Sequence, residues 1–209
     1  MLKQKNLPNK ILCLITDTKI KNQEETLNII ENSVSNGFNM IQLREKHMSS
    51  LDLLNFGRKI KKIINNRALF IINDRVDIAI ALKSDGIHFG ENSIPIELVK
   101  NLIGKKFLIG KSIHQVNSSL IEYDSIINYW ILGSIYKTLS HPNSKPIGLS
   151  PILELKKISK TPIIGIGGID DKNSKNVIKK GCSGVAVKRF ILESQKINED
   201  TKLILESIA

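Results

Sequence analysis

The sequence is poor in residues that mark several functional classes. It holds two cysteines, Cys13 and Cys182, and they form no CxxC pair. A zinc site of paired cysteines and a dithiol redox centre are therefore not expected, and buried free thiols in a reducing compartment are. Aromatic residues make up 5% of the chain. Scattered lysines without interleaved aromatics do not build a base-stacking platform, so nucleic acid is not expected as a partner despite a formal net charge of +11. That charge leaves an anionic substrate open. No apolar run approaches membrane length. Residues 11–15 are too short even for the apolar part of a secretion signal, and residues 1–10 before them are polar and basic. A membrane partner is not expected, and a cytoplasmic location is. The first turn, Thr16-Asp17-Thr18-Lys19, has no glycine, which removes the usual dinucleotide-binding fingerprint. Linkers and low-complexity stretches are missing too, so residues 1–209 read as one domain, long enough for a substantial core. The sequence leaves open whether that domain is a homo-oligomer.

What the chain does have is a recurring short apolar run: residues 11–16, 40–44, 69–73, 86–89, 107–112, 129–134, 162–167 and 184–188. Most are apolar on both faces, the pattern of buried parallel strands. The stretches between them carry helix signals. Asn22 with Glu25 forms a capping box ahead of Leu27, Ile30 and Val34, and Gly37 suits the stop. Ser50 opens a helix over 51–65, and shorter helices are expected over 74–83, 95–103 and 115–123. Asp170 or Asp171 caps a helix running to Lys180, with Gly181 at its end, and residues 194–208 close the fold. Eight strand–helix units predict a (β/α)8 TIM barrel near the lower size limit of that fold, with functional residues at the C-terminal ends of the strands.

The strand ends carry unusual chemistry. The second reads Gln42-Leu43-Arg44-Glu45-Lys46, and alternation sends Gln42, Arg44 and Lys46 to one side. A polar group and two cations then converge at the barrel mouth, where they suit a phosphorylated ligand. The competing reading pairs Arg44 with Glu45 or Asp17. The third end, Asn73-Asp74-Arg75, offers a helix cap, a functional group, or both, and a carboxylate beside cations suits Mg²⁺ bridged to phosphate oxygens. The fourth contains His88, Glu91, Asn92 and Ser93, and the fifth Lys111-Ser112-Ile113-His114. His88 lies inside its strand and reads as a packed core residue. His114, two residues after Ser112, reads as catalytic or structural. The sixth loop, 134–148, packs Thr138, Ser140, His141 and Lys145 between bends, as a ligand clamp or a plain surface loop. Gly167-Gly168 after the seventh strand and Lys188-Arg189 after the eighth stand where barrels bind phosphate on backbone N–H groups.

Six segments together, at 42–46, 73–79, 85–88, 110–114, 165–169 and 184–187, resemble the thiamine phosphate synthase family in order and spacing across nearly the whole chain. The resemblance implies coupling of a hydroxymethylpyrimidine pyrophosphate to a thiazole phosphate with loss of pyrophosphate, and Mg²⁺ as cofactor. It implies that Gln42, Arg44, Lys46 and Asn73 contact the pyrimidine and its pyrophosphate. Asp74 would hold Mg²⁺ and Ser112 would hydrogen-bond pyrophosphate. Thr138, Ser140, Gly168 and the backbone at Lys188 and Arg189 would bind the thiazole phosphate. The reaction it implies is dissociative, so Arg44, Lys46 and Ser112 serve the leaving group and little general-base work is needed.

Two positions depart from the family pattern. Ser93 stands where a second metal-binding aspartate is usual, leaving Glu91 or Asn92 to substitute. His141 replaces a lysine that touches pyrophosphate, and it can still donate to phosphate. The related thiazole tautomerase places a proton-transfer histidine where His114 stands, but has less use for Lys46, Asn73 and Asp74. A barrel that binds thiazole or thiamine phosphate without chemistry is the third reading, motivated by Ser93 and His141.

Overall fold

The computed structural model describes residues 5–140, 142–143 and 145–208. Eight parallel strands close into a barrel in chain order, β1 Ile11–Ile15, β2 Met40–Leu43, β3 Leu69–Asn73, β4 Gly86–Phe89, β5 Leu108–Ile113, β6 Tyr129–Leu132, β7 Ile163–Ile166 and β8 Gly184–Val187. The last pairs with the first through Ile11↔Gly184 to Leu14↔Val187. The expected (β/α)8 barrel is therefore the observed fold, and every expected run overlaps a strand, with β5 running one residue past its expected end.

Alternation along the strands builds two apolar layers. Cys13, Met40, Ile71, Leu108, Tyr129, Ile164 and Ala186 fill the barrel interior. Leu12, Leu14, Ile41, Phe70, Ile72, Trp130 and Val185 face outward into the layer beneath the helices. Both faces are buried, which is why the runs read as continuously apolar. Interior space is shared out by size: Tyr129 occupies the volume left by Gly110, where an added Cβ would collide with the Tyr129 ring. Trp130 is wholly buried in the outer layer, its indole N–H donating to Ser159 Oγ at 3.1 Å and its ring edge-on to Tyr123. Trp130→Ala removes that packing and the indole bond, leaving Ser159 Oγ bound to Asp124 and to the Thr161 N–H. It is expected to cost about 3–5 kcal/mol of stability, read as the fall in midpoint in urea unfolding.

The helices are α1 Gln23–Ser35, α2 Ser50–Ile64, α3 Val76–Leu82, α4 Ile96–Ile103, α5 Ser150–Ile158, α6 Ser174–Lys179, α7 Arg189–Leu192 and α8 Ile197–Ile208. The Asn22–Glu25 capping box is formed in both directions. Four sequence expectations need correction. Ser49, not Ser50, caps α2 by accepting from Asp52 N at 3.2 Å. The segment 115–123 contains the 3₁₀ turn Ser118–Tyr123 instead of an α-helix, because Asn117 binds the nearby Ser119 N–H and hydroxyl. Asp170 and Asp171 do not cap α6. Asp170 Oδ1 accepts from Lys172 N and Asn173 N in the turn before it, and α6 starts at Ser174. The closing helix begins at Ile197, since Ser194 Oγ takes the Lys196 N–H and the Asp200 carboxylate first. Helices α5 and α7 were not anticipated. Among the described residues no helix is long and apolar enough to cross a membrane. Cys13 and Cys182 are free and buried, and burial pushes both thiols up, Cys182 to about 12.

Candidate active site

A cavity of about 360 Å³ opens at the C-terminal ends of the strands. Its size suits one small-molecule site. Past β2 the alternation holds as expected. Leu43 turns into the outer layer, and Glu45 turns onto Thr18, whose N–H and hydroxyl donate to Oε2 at 2.9 and 2.7 Å. Gln42, Arg44 and Lys46 line the cavity. Asp17 is taken by Lys188, Nζ to Oδ2 at 2.9 Å, so among the described residues neither Glu45 nor Asp17 forms a salt bridge with Arg44. Burial alone would raise the Asp17 carboxyl. The Lys188 bond and charge, the Lys19 N–H and the nearby Arg44 outweigh it and hold that carboxyl below its usual range.

Asp74 is the hub of the adjoining strand end. Its backbone is left-handed, with φ 62°, a conformation an aspartate tolerates. It caps no helix: α3 starts at Val76 with no side-chain cap. Instead Asn73 Nδ2 donates to Asp74 Oδ2 at 2.7 Å, and Gln42 Nε2 donates to Asn73 Oδ1 at 2.9 Å. Lys46 Nζ stands 3.9 Å from Asp74 Oδ2, and the Ser93 hydroxyl donates to Oδ1. Gln42, Asn73, Asp74 and Lys46 thus form one chain of polar contacts across the ends of β2 and β3.

Ser112 and His114 are brought to the same cavity by β5, but differently. Ser112 Oγ lies 2.7 Å from His88 Nε2. His114 is half-exposed at the rim, where Glu91 Oε1 accepts from its backbone N at 2.9 Å and sits 3.0 Å from its Nδ1. Glu91 is therefore engaged with His114 in this structure, not with Asp74. Opposite, Thr138, Ser140, Gly167, Gly168, Lys188 and Arg189 line the cavity. The sixth loop is tied at its base, with Ile147 N bound to Ser134 O at 2.9 Å and Gly148 N to Ile135 O at 3.1 Å. Gly167 and Gly168 have φ 97° and 63°. A Cβ on Gly168 would collide with the Lys137 carbonyl oxygen, so only glycine allows the sixth loop this close. His141 lies outside the described residues.

The sequence reading took His88 as packed and gave it no place at the cavity. It is 2% exposed as expected of a packed residue, yet it also lines the cavity. Ile87 and Phe89 belong to the outer layer, so parity sends His88 inward, opposite Asn73 in the β3–β4 register. That parity was the available signal. Burial drives its pKa down to about 3. Asp74 opposes the shift, while Arg44 and Lys111 add to it.

The family model described as "Thiamine monophosphate synthase" matches residues 12–191. The chain belongs to that family. Thiamine-phosphate synthase of Clostridium acetobutylicum is 35% identical to it over 205 residues, covering 98% of this chain and 97% of the relative. The enzyme of the same name from Persephonella marina is 33% identical over 192 residues, 91% and 92% of the two chains. Thiamine phosphate pyrophosphorylase from Pyrococcus furiosus superposes with a TM-score of 0.85 at 26% identity, over 96% of each chain. 3-Hexulose-6-phosphate synthase, at 13% identity and TM-score 0.74, shares the barrel fold. Membership and this coverage assign the chain a synthase function of the transferase class, as the sequence resemblance implied. The Ser93 hydroxyl meets Asp74 at the position where the resemblance led a second carboxylate to be expected. Among the described residues no cluster of three metal-ligating side chains forms.

Proposed function

We propose that residues 1–209 act as one domain that joins the methylene carbon of a hydroxymethylpyrimidine pyrophosphate to the ring nitrogen of a thiazole phosphate. The methylene C–O bond breaks, pyrophosphate leaves with the bonding pair, and the thiazole nitrogen supplies the pair for the new C–N bond. The observation that carries this reading is the division of one cavity into a cationic wall at Arg44 and Lys46 and a hydroxyl- and glycine-lined wall at Thr138, Ser140 and Gly168. Two anionic ligands can face each other across it.

In this reading Gln42 and Asn73 orient the pyrimidine, and their mutual bond fixes the Gln42 amide so that its buried, unpartnered Oε1 is presented as an acceptor. Arg44 and Lys46 hold the pyrophosphate, and Ser112 donates to it. Thr138, Ser140, Gly168 and the first N–H groups of α7, at Lys188 and Arg189, hold the thiazole phosphate, because a helix start leaves those donors without intrahelical acceptors. His141 donates to phosphate and His114 anchors Glu91 at the rim.

The donor set fits Mg²⁺, which commonly takes one or two carboxylates and completes its shell with phosphate oxygens and water. Asp74 would hold it, with Ser93 Oγ or Glu91 as the further oxygen. When bound, Mg²⁺ supplies positive charge against the departing pyrophosphate. A cytoplasmic setting, in keeping with the two buried free thiols, is part of the same proposal.

The deciding assay incubates the full chain with both phosphorylated precursors and Mg²⁺. Thiamine phosphate and pyrophosphate in equal amounts are expected, and isomerised thiazole phosphate without either would overturn the reading in favour of the tautomerase. The metal end has its own test. Ser93→Asp adds a second carboxylate beside Asp74, and it is expected to tighten Mg²⁺ binding in calorimetry by about tenfold.

A further inference from the structure

Among the described residues the Ser112 hydroxyl has one hydrogen-bond neighbour, His88, to which the reaction scheme gives no task. The imidazole is stacked on Tyr129 with ring centroids 5.7 Å apart, and its Nε2 lies 2.7 Å from Ser112 Oγ. Its other nitrogen, Nδ1, is buried without a hydrogen-bond partner among the described residues. Buried neutral, the ring carries a single N–H. On Nδ1, that hydrogen would be an orphaned buried donor. On Nε2, it makes the 2.7 Å bond and leaves only a bare lone pair at Nδ1. Orphaned buried N–H groups are the rarer of the two situations.

The choice decides what Ser112 can do. A serine hydroxyl has one hydrogen. If Nε2 were bare, that hydrogen would be spent on His88, and an anion in the cavity would meet a lone pair. If Nε2 carries the hydrogen, Ser112 Oγ accepts from His88 and its own hydrogen has no acceptor among the described residues of the wall.

We propose that His88 is a positioning residue: its Nε2–H donates to Ser112 Oγ, which turns the Ser112 hydroxyl hydrogen into the cavity and makes Ser112 an obligate donor to the leaving anion. The inference rests on the reading above only in naming that anion pyrophosphate. Its structural half concerns the free protein. Cavities lined by fixed donors stabilise developing charge because no reorientation is needed at the moment of reaction.

The first test is ¹⁵N NMR of the histidine-labelled, ligand-free full chain at neutral pH. The chain has four histidines, and the His88 signal is assigned by its loss in His88→Gln. Nε2 is expected in the protonated range and Nδ1 in the bare range, whereas a hydrogen on Nδ1 overturns the proposal. The second test is kinetic. His88→Leu is expected to lower kcat roughly tenfold with KM for thiazole phosphate little changed, and His88→Gln, whose amide can donate, to recover most of it. The double variant His88→Leu/Ser112→Ala is expected to be no slower than Ser112→Ala alone. Multiplied losses would mean that His88 acts by some route other than Ser112, and would sink the idea. If His88→Leu does not fold, the NMR result on the unaltered chain decides. If the unaltered chain makes no thiamine phosphate, the functional reading fails while the tautomer result stands by itself.

Discussion

Arg44→Ala is expected to lower kcat by about a thousandfold while leaving the barrel folded. The size follows from what the side chain is proposed to face. Pyrophosphate leaves with two electrons, and a positioned guanidinium can take two of its oxygens at once in a rigid planar fork that an ammonium lacks. Losing a donor placed on developing negative charge typically costs about 10²–10³ in kcat, and a full charge belongs at the upper end. Lys46 cannot cover the loss, since its ammonium lies 3.9 Å from Asp74 and is partly committed there. Stability is spared because the structural bond at this residue is made by its backbone: Arg44 N donates to Thr16 Oγ1 at 3.0 Å, and alanine keeps it. The Asp17–Lys188 pair at 2.9 Å is also untouched. Steady-state rates beside a thermal melt separate the two effects. Near-normal turnover in Arg44→Ala would place the pyrophosphate elsewhere, and a collapsed melting temperature would make Arg44 a structural residue.

Gly168→Ala is expected to raise KM for the thiazole phosphate by about a hundredfold, with the pyrimidine side unaffected at saturation. Two costs coincide at this position. The backbone sits at φ 63°, which a non-glycine residue adopts at about 1 kcal/mol or more. The new methyl would also run into the Lys137 carbonyl and the Tyr136 side chain, so the sixth loop must retreat. That loop carries Thr138 and Ser140, and a displacement of about 1 Å is enough to cost about a hundredfold. The strand core beneath is not involved, so the melting temperature should fall by only a few degrees. Separate titrations of the two substrates check the asymmetry. Equal losses on both would mean that the glycine turn serves the fold and not one ligand.

Much of this was legible in the chain because parallel strands buried on two faces announce themselves. The eight apolar runs needed no tertiary information, and neither did the inward turn of Gln42, Arg44 and Lys46, since both follow from a period of two. Helix limits were less legible where a short polar side chain chose its own backbone. Ser49 over Ser50, Asn117 in the 3₁₀ turn and Ser194 ahead of α8 are all local hydrogen bonds that compete with the helix ladder on nearly equal terms. His88 was read correctly as packed, but its neighbour was not legible. A buried histidine in a strand is usually packing, and only the meeting of β4 with β5 puts Ser112 beside it.

The sequence by itself determined the barrel, its strand order and most of the side chains at its mouth, because burial periodicity and chain connectivity are properties of the chain alone. Only the tertiary structure decided which of those side chains share bonds. Lys188 finds Asp17 across 171 positions, Glu91 finds His114, and Ser93 finds Asp74. Such pairings depend on distances between loops whose ends the strands set but whose interiors no local rule fixes. They turn a list of polar residues into a cationic wall joined to the Asp74 carboxylate and a hydroxyl- and glycine-lined turn facing it.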